Sequence, residues 1–363
     1  MPEHKNRVDA LLSLVQENRT TSLSCIGMAK NVGKTVAFNH LIQAAAERSL
    51  TLGLTSIGRD GERRDEVFLT PKPRIFAPAG SLLATATGTL SRSEAQLEIV
   101  QRTGFISAMG EIIVGRTRTS GLVELAGPTL ISEHQRIQKL FIHYGAELTL
   151  IDGALDRVSP AVPGLAQSIV LSTGAALGQS IELVLVKTQD RVNRLSLPQV
   201  DSSLLSVCRR IMDANQTALL SEDLTPCILD VRHSLLAGDQ LKKLIGKQTE
   251  FAVLSGAVGD GILESLLDSR RQGRIQLVLR NGAALFCSSE HWRRFSAAGG
   301  SIRVIEPIRL LAVTLNPVSP TGGSFNAGEF FHRMSAALAP LPVFDLVQSY
   351  GQFTRNLATQ ESK

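Results

Sequence analysis

Apolar residues along this chain gather into short runs separated by amphipathic stretches, and that alternation is the first guide to the fold. Residues 7–18, RVDALLSLVQEN, place Val8, Leu11, Leu12 and Val15 on one face of a predicted packing helix. Leu23–Ile26 then reads as a buried strand. Beyond a tight segment, Val36, Phe38, Leu41, Ile42 and Ala45 recur at helical spacing, and Leu50–Ile57 reads as a second strand. Strand, helix and strand in about thirty residues predict a right-handed βαβ unit of a parallel sheet.

Thr70–Gly80 carries three prolines and is expected to be a loop holding a short strand at Arg74–Ala77. Leu82–Gly104 reads as helical pieces, and Ile106–Glu124 as β-structure turning at Arg116–Gly121. Gly127-Pro128 ends that segment. Ile131–Tyr144 has helical spacing with Ile131, Ile137, Leu140 and Phe141 on its apolar side. Glu147–Asp152 and Ser168–Ser172 read as strands, Gln179–Asn193 as a helix, and Ser196–Ser203 as a linker. The second half repeats the alternation, with strands at Phe251–Leu254, Ile275–Leu279, Ile302–Val304, Leu310–Leu315 and Val343–Val347. Helices are expected at Ile262–Leu267, about 289–298 and Gly328–Leu338. The expected class is α/β, with a doubly wound, mostly parallel sheet and a second α/β domain. Its divisions fall at 1–19 (a helix), 20–200, 201–350 and a tail over 351–363.

Composition keeps this picture and narrows it. The 363 residues are 43% hydrophobic and 20% charged, which suits two globular domains. The net charge of +5 is small and dispersed, and one Trp and two Tyr offer little for base stacking, so no nucleic-acid role is expected. Cys25, Cys208, Cys227 and Cys287 form no CxxC pair, and each is expected to be a small buried apolar side chain. No signal peptide is read at the N-terminus, and no apolar stretch reaches the ~18 residues needed to span a bilayer. A reducing cytoplasm is the expected compartment.

Chemistry enters at Gly27-Met28-Ala29-Lys30-Asn31-Val32-Gly33-Lys34-Thr35. A strand, a tight loop and Gly-Lys-Thr opening a helix are the layout of a phosphate-binding loop, so the expected doubly wound sheet is P-loop NTPase-like. Backbone N–H groups of Ala29–Thr35 and the positive helix end face the anion, Lys34 reaches the terminal phosphates, and the Thr35 hydroxyl ligates Mg²⁺. The match is imperfect, since the usual spacing asks for glycine at position 28, where methionine stands. Lys30 resembles the second lysine of the dimerising P-loop variants, at a different spacing.

Carboxylates for the metal are sought at the carboxyl ends of neighbouring strands. Asp60 and Glu62, in Gly58-Arg59-Asp60-Gly61-Glu62, are placed to hold Mg²⁺ or to orient a water, against the plainer reading of an acidic turn. Asp152, followed by Gly153, stands where a second Mg²⁺-associated aspartate belongs, and Arg157 nearby reads as a surface arginine. The Gly-rich turn Ser255–Gly261 lacks a basic residue and reads as tight strand-to-helix geometry, and Asn316-Pro317-Val318-Ser319-Pro320 as a shaped loop. Val186–Asp190 lacks the asparagine of a guanine-reading segment.

Taken together, the loop at 27–35, Ser56–Glu62, Thr70–Arg74, Ile151–Arg157 and Leu315–Pro320 resemble one family. It is the P-loop subunit of the reactivase that services adenosylcobalamin-dependent lysine 5,6-aminomutase and ornithine aminomutase. The resemblance spans residues 20–347. It implies binding of ATP and Mg²⁺, catalytic roles for Lys34 and Asp60, and a Mg²⁺ shell of Thr35, Asp60 and Asp152. It also implies two partners, a second reactivase subunit and the aminomutase, whose damaged cobalamin is exchanged through an ATP-driven conformational change. Preference for ATP over GTP comes from this resemblance as well. The chain has no Asp-x-His-x-x-Gly cobalamin motif, which fits a servicing protein.

The strand arrangement is also similar to dethiobiotin synthetase, cobyrinate amidotransferases and molybdopterin-guanine dinucleotide accessory proteins. A carboxylate-phosphorylating ligase is therefore a second expectation, with its metabolite near Pro73–Pro78 and Glu124–Pro128. A nucleotide-dependent scaffold is a third.

Overall fold

The computed structural model describes residues 3–57, 75–155, 162–231, 237–320 and 322–347. The chain opens with α1 (Glu3–Glu17), β1 (Ser22–Gly27), α2 (Lys34–Glu47) and β2 (Leu52–Ser56). Strands β3 (Ile75–Ala77), β4 (Leu82–Ala86), β5 (Leu97–Ser107), β6 (Gly110–Thr117) and β7 (Gly121–Val123) follow. Next come α3 (Ile131–His143), β8 (Leu148–Leu155), α4 (Val162–Leu165), β9 (Ser168–Gly174) and α5 (Ile181–Leu195). Then come α6 (Ser202–Asp213), β10 (Thr217–Ser221), β11 (Pro226–Leu229), α7 (Gly238–Leu244), β12 (Thr249–Leu254) and α8 (Asp260–Leu267). The described chain ends with β13 (Gln276–Leu279), α9 (Ser289–Ala297), β14 (Ser301–Val304), β15 (Leu310–Asn316), α10 (Ala327–Leu338) and β16 (Val343–Asp345).

Two compact units result. The first takes in residues 3–57, 75–155, 164–189, 310–320 and 322–347, and the second residues 162–163, 190–231 and 237–309. In the first, nine strands form one sheet in the order β16-β15-β9-β1-β8-β2-β4-β6-β5. It is parallel from β16 through β4 and antiparallel at β6 and β5. Every residue of β1, β2, β4 and β9 is buried, as expected where helices cover both faces of a parallel sheet. Alternation along β2 divides the layers. Leu52 and Leu54 join the core made with Leu11, Leu12 and Val15 of α1 and Phe38, Leu41 and Ile42 of α2. Gly53 between them faces the opposite way, where a Cβ would overlap the Phe141 ring of α3.

Two expectations need correcting. Leu82–Gly104 is mainly strand: β4 and most of β5 flank a short 3-10 helical piece at Thr87–Arg92. β4 is buried on both faces, and such an apolar run carries no period that separates strand from helix. The boundary of the second domain also moves. Leu310–Asn316 and Val343–Asp345 lie in the first sheet, as β15 beside β9 and β16 beside β15, so the second unit is inserted in the crossover from β9 to β15. Composition could not show this, because a parallel strand reads alike whichever sheet receives it.

The second unit is α/β as expected, with strand order β11-β10-β12-β13-β14. Strands β12, β13 and β14 are parallel, and β10 runs antiparallel to β12 and β11. Helices α7, α8 and α9 pack Leu241, Leu263, Leu266 and Phe295 on one face, and α6 packs Leu204, Cys208 and Met212 on the other. The expected linker at Ser196–Ser203 is docked instead: the Val200 N–H donates to the Val304 carbonyl, and Ser202 starts α6. Among the described residues, no helix is long and apolar enough to cross a membrane.

Candidate functional site

The segment between β1 and α2 is a tight turn whose shape follows from two left-handed residues. Gly27 pairs with Ser172 of β9, and the Met28 N–H donates to the Ser172 carbonyl, extending that edge by one step. Asn31 (φ 63°) and Gly33 (φ 90°) then turn the chain, the first tolerated by a short polar side chain and the second by the missing Cβ. Val32 is buried beneath the turn, Lys30 and Asn31 are exposed, and Ala29 and Thr35 are half-buried.

Lys34 is the first residue of α2, and no side chain caps that helix. The first N–H groups of a helix lack intrahelical partners and carry the positive end of its dipole. Ala37 is the first to bond back, to the Gly33 carbonyl. That end of α2 therefore carries partial positive charge with no side chain capping it.

Lys34 Nζ lies 2.7 Å from Asp152 Oδ1 and also donates to the Gly153 carbonyl. The side chains of Lys34 and Asp152 are 14% and 22% exposed, so the lysine is far less solvated than a loop position implies. Asp152 is within β8, before its end at Leu155, rather than at the strand tip as expected. The β1–β8 register slips there, from Cys25↔Asp152 to Gly27↔Leu155. A bulge of this kind re-aims backbone and side chains, and at Gly153 a Cβ would stand 2.7 Å from the Cys25 carbonyl oxygen. Cys25, opposite Asp152, has its thiol pushed up to about 12, first by burial and then by the carboxylate beside it. It is an inert neighbour.

Beyond β2, Ser56 Oγ donates to the Leu125 carbonyl and accepts from the Gly127 N–H, and the Ile57 N–H donates to the Asp152 carbonyl. These bonds seat residues 125–128 at the same sheet edge. His134 of α3 holds the segment from below, its Nε2 being 2.9 Å from the Pro128 carbonyl. Burial lowers its pKa to about 4, so the ring is neutral and Nε2 is the donor.

The structure thus brings together Lys34, Thr35, Asp152 and the loop 29–33. Asp60, Glu62 and Arg157, with Thr70–Arg74, lie outside the described residues. Among the described residues no group of three or more His, Cys, Asp or Glu side chains is arranged to hold a metal. Mg²⁺ does not require one, since it keeps several waters and takes one or two carboxylates with phosphate oxygens. Asp152 fits that use: its Oδ1 is buried and, despite the ammonium at 2.7 Å, makes no hydrogen bond of good angle. The sequence places Asn316 in a shaped loop and within the resemblance at Leu315–Pro320, with no role of its own. It ends β15 and donates from Nδ2 to the Asn31 carbonyl at 2.7 Å. The cysteine expectation holds for Cys25, Cys208 and Cys287, whereas Cys227 on β11 is exposed. Compared with models of protein families, with curated proteins and with solved structures, the chain has no significant match.

Proposed function

We propose that the chain binds ATP with Mg²⁺ at the turn between β1 and α2. In this reading it is the cytoplasmic ATP-hydrolysing subunit of a reactivase for an adenosylcobalamin-dependent amino-acid aminomutase. One arrangement carries the nucleotide part: an uncapped helix end whose first residue, Lys34, is ion-paired across the sheet edge to Asp152. A lysine and a carboxylate facing each other at an anion-binding helix end are the pair that a magnesium–triphosphate would bridge.

In that role the N–H groups of the turn and of Lys34 and Thr35 hold phosphate oxygens, and the Lys34 ammonium neutralises the terminal charge. Thr35 and Asp152, with Asp60, would hold Mg²⁺, which when bound offsets charge on the phosphates. The reactivase role rests on the resemblance in wording along residues 20–347.

Two measurements test this in sequence. Calorimetric titration with Mg·ATP should give a saturable binding heat that Lys34→Ala removes; no heat from the unmodified chain ends the nucleotide reading. ATP turnover should then be slow alone and rise with the second subunit and an inactivated aminomutase. Turnover that appears only with a carboxylate metabolite points to the ligase, and binding without turnover points to a scaffold.

A further inference from the structure

We propose that Asn316 is a positioning residue for the phosphate-binding turn, setting the shape of residues 31–33 from the end of a distant strand. This deepens the nucleotide reading and depends on it. The contact spans 285 residues of sequence, from Asn316 Nδ2 to the Asn31 carbonyl at 2.7 Å. Strand β9 lies between β15 and β1, so the side chain must reach across the end of β9. It can because Gly174, paired with Asn316, has no side chain: a Cβ there would overlap the Asn316 carbonyl oxygen and come within 2.9 Å of its Cβ.

The amide orientation is set by a second bond. The Val318 N–H donates to Asn316 Oδ1 at 3.0 Å, which leaves Nδ2 facing Asn31. Val318 is itself held in a small hairpin, through its bridge to Ser324 and the bond from the Phe325 N–H to the Pro317 carbonyl. The Asn31 carbonyl that receives the amide belongs to a left-handed residue, two positions before left-handed Gly33. A Cβ on Gly33 would stand 3.2 Å from the Asn316 Cβ, so the side chain also lies against the pivot of the turn. Local loop geometry accounts for less. An asparagine that only closes its own turn through Oδ1 could be an aspartate. The Nδ2 contact is the part that an aspartate cannot make.

The consequence is specific. If Asn316 acts by shaping the turn, its loss weakens every ligand that presents a polyphosphate, whatever base is attached. Binding of Mg·ATP, Mg·GTP and Mg·tripolyphosphate to the full chain would be measured by calorimetry for the unmodified protein, Asn316→Ala and Asn316→Asp, with thermal melting of each. Asn316→Ala is expected to weaken all three ligands by one common factor, about 5–10-fold for a lost hydrogen bond of this kind. Asn316→Asp keeps the side-chain outline and the Val318 bond but sets a carboxylate oxygen against the Asn31 carbonyl, so it is expected to weaken all three ligands at least as much as Asn316→Ala does, with a melting transition showing that the fold survives. Asn316→Asp therefore decides the matter even if the alanine variant does not fold. Unchanged affinities in Asn316→Asp overturn the proposal. A loss confined to ATP, with tripolyphosphate unaffected, also overturns it by moving Asn316 onto the nucleoside. Failure of the unmodified chain to bind any of the three refutes the nucleotide reading itself, a separate result.

Discussion

Lys34 and Asp152 are 2.7 Å apart although one opens a helix and the other sits in a strand more than a hundred residues on. Each is mostly shielded from water, so each neutralises a charge that would be costly alone.

Removing one partner is therefore not silent for the fold. Lys34→Ala should abolish Mg·ATP binding and also lower stability by about 1–2 kcal/mol, because it leaves the Asp152 carboxylate uncompensated. The double variant Lys34→Ala/Asp152→Asn should regain much of that stability and none of the binding. Urea unfolding of the three proteins checks this. A double variant no more stable than Lys34→Ala would show that the pair does not matter to folding.

Asp152→Asn alone should raise the Mg²⁺ concentration needed for nucleotide binding while leaving metal-free nucleotide affinity within about twofold, since the amide lacks the charge for a hydrated metal. Titrating Mg²⁺ at fixed ATP distinguishes the outcomes. An unchanged midpoint would remove Asp152 from the metal shell.

Gly33→Ala should cost about 1–2 kcal/mol and most of the nucleotide affinity, since an alanine at φ 90° is strained and its Cβ would press on Asn316. Melting and calorimetry on the same sample report the two effects.

His134 gives the fold a pH dependence of known sign. Its native pKa is about 4 against an ordinary 6.5, so the unfolded chain binds the proton more readily. The stability linked to the neutral ring is complete above about pH 6.5. It declines as pH falls towards 4, by about 3 kcal/mol in all. His134→Gln, which can still donate to Pro128, should lose less stability than the unmodified protein between pH 7 and pH 4.5. Parallel slopes in the two proteins would contradict this.

Thiol labelling offers a check on burial. Cys227 should react quickly with a disulfide reagent in the native protein, while Cys25, Cys208 and Cys287 wait for unfolding. Burial raises those three thiols to about 12, 11 and 11. More than one fast thiol in native buffer would contradict the packing of both sheets.

The sequence by itself determined the local pieces of the site. Strand, turn and helix over Ser22–Glu47 are contiguous, and their apolar spacing, glycine and Lys-Thr pair are legible without any distant contact. It determined the α/β class for the same reason. Tertiary structure alone decided which pieces meet. That Leu310–Asn316 returns to the first sheet and that Asn316 touches Asn31 are matters of strand order. Hydrophobic patterning records that a face is buried and leaves open against what. The slipped register at Gly153, which turns its carbonyl towards Lys34, was likewise invisible in the wording of the chain, because it arises only when β1 and β8 are laid side by side.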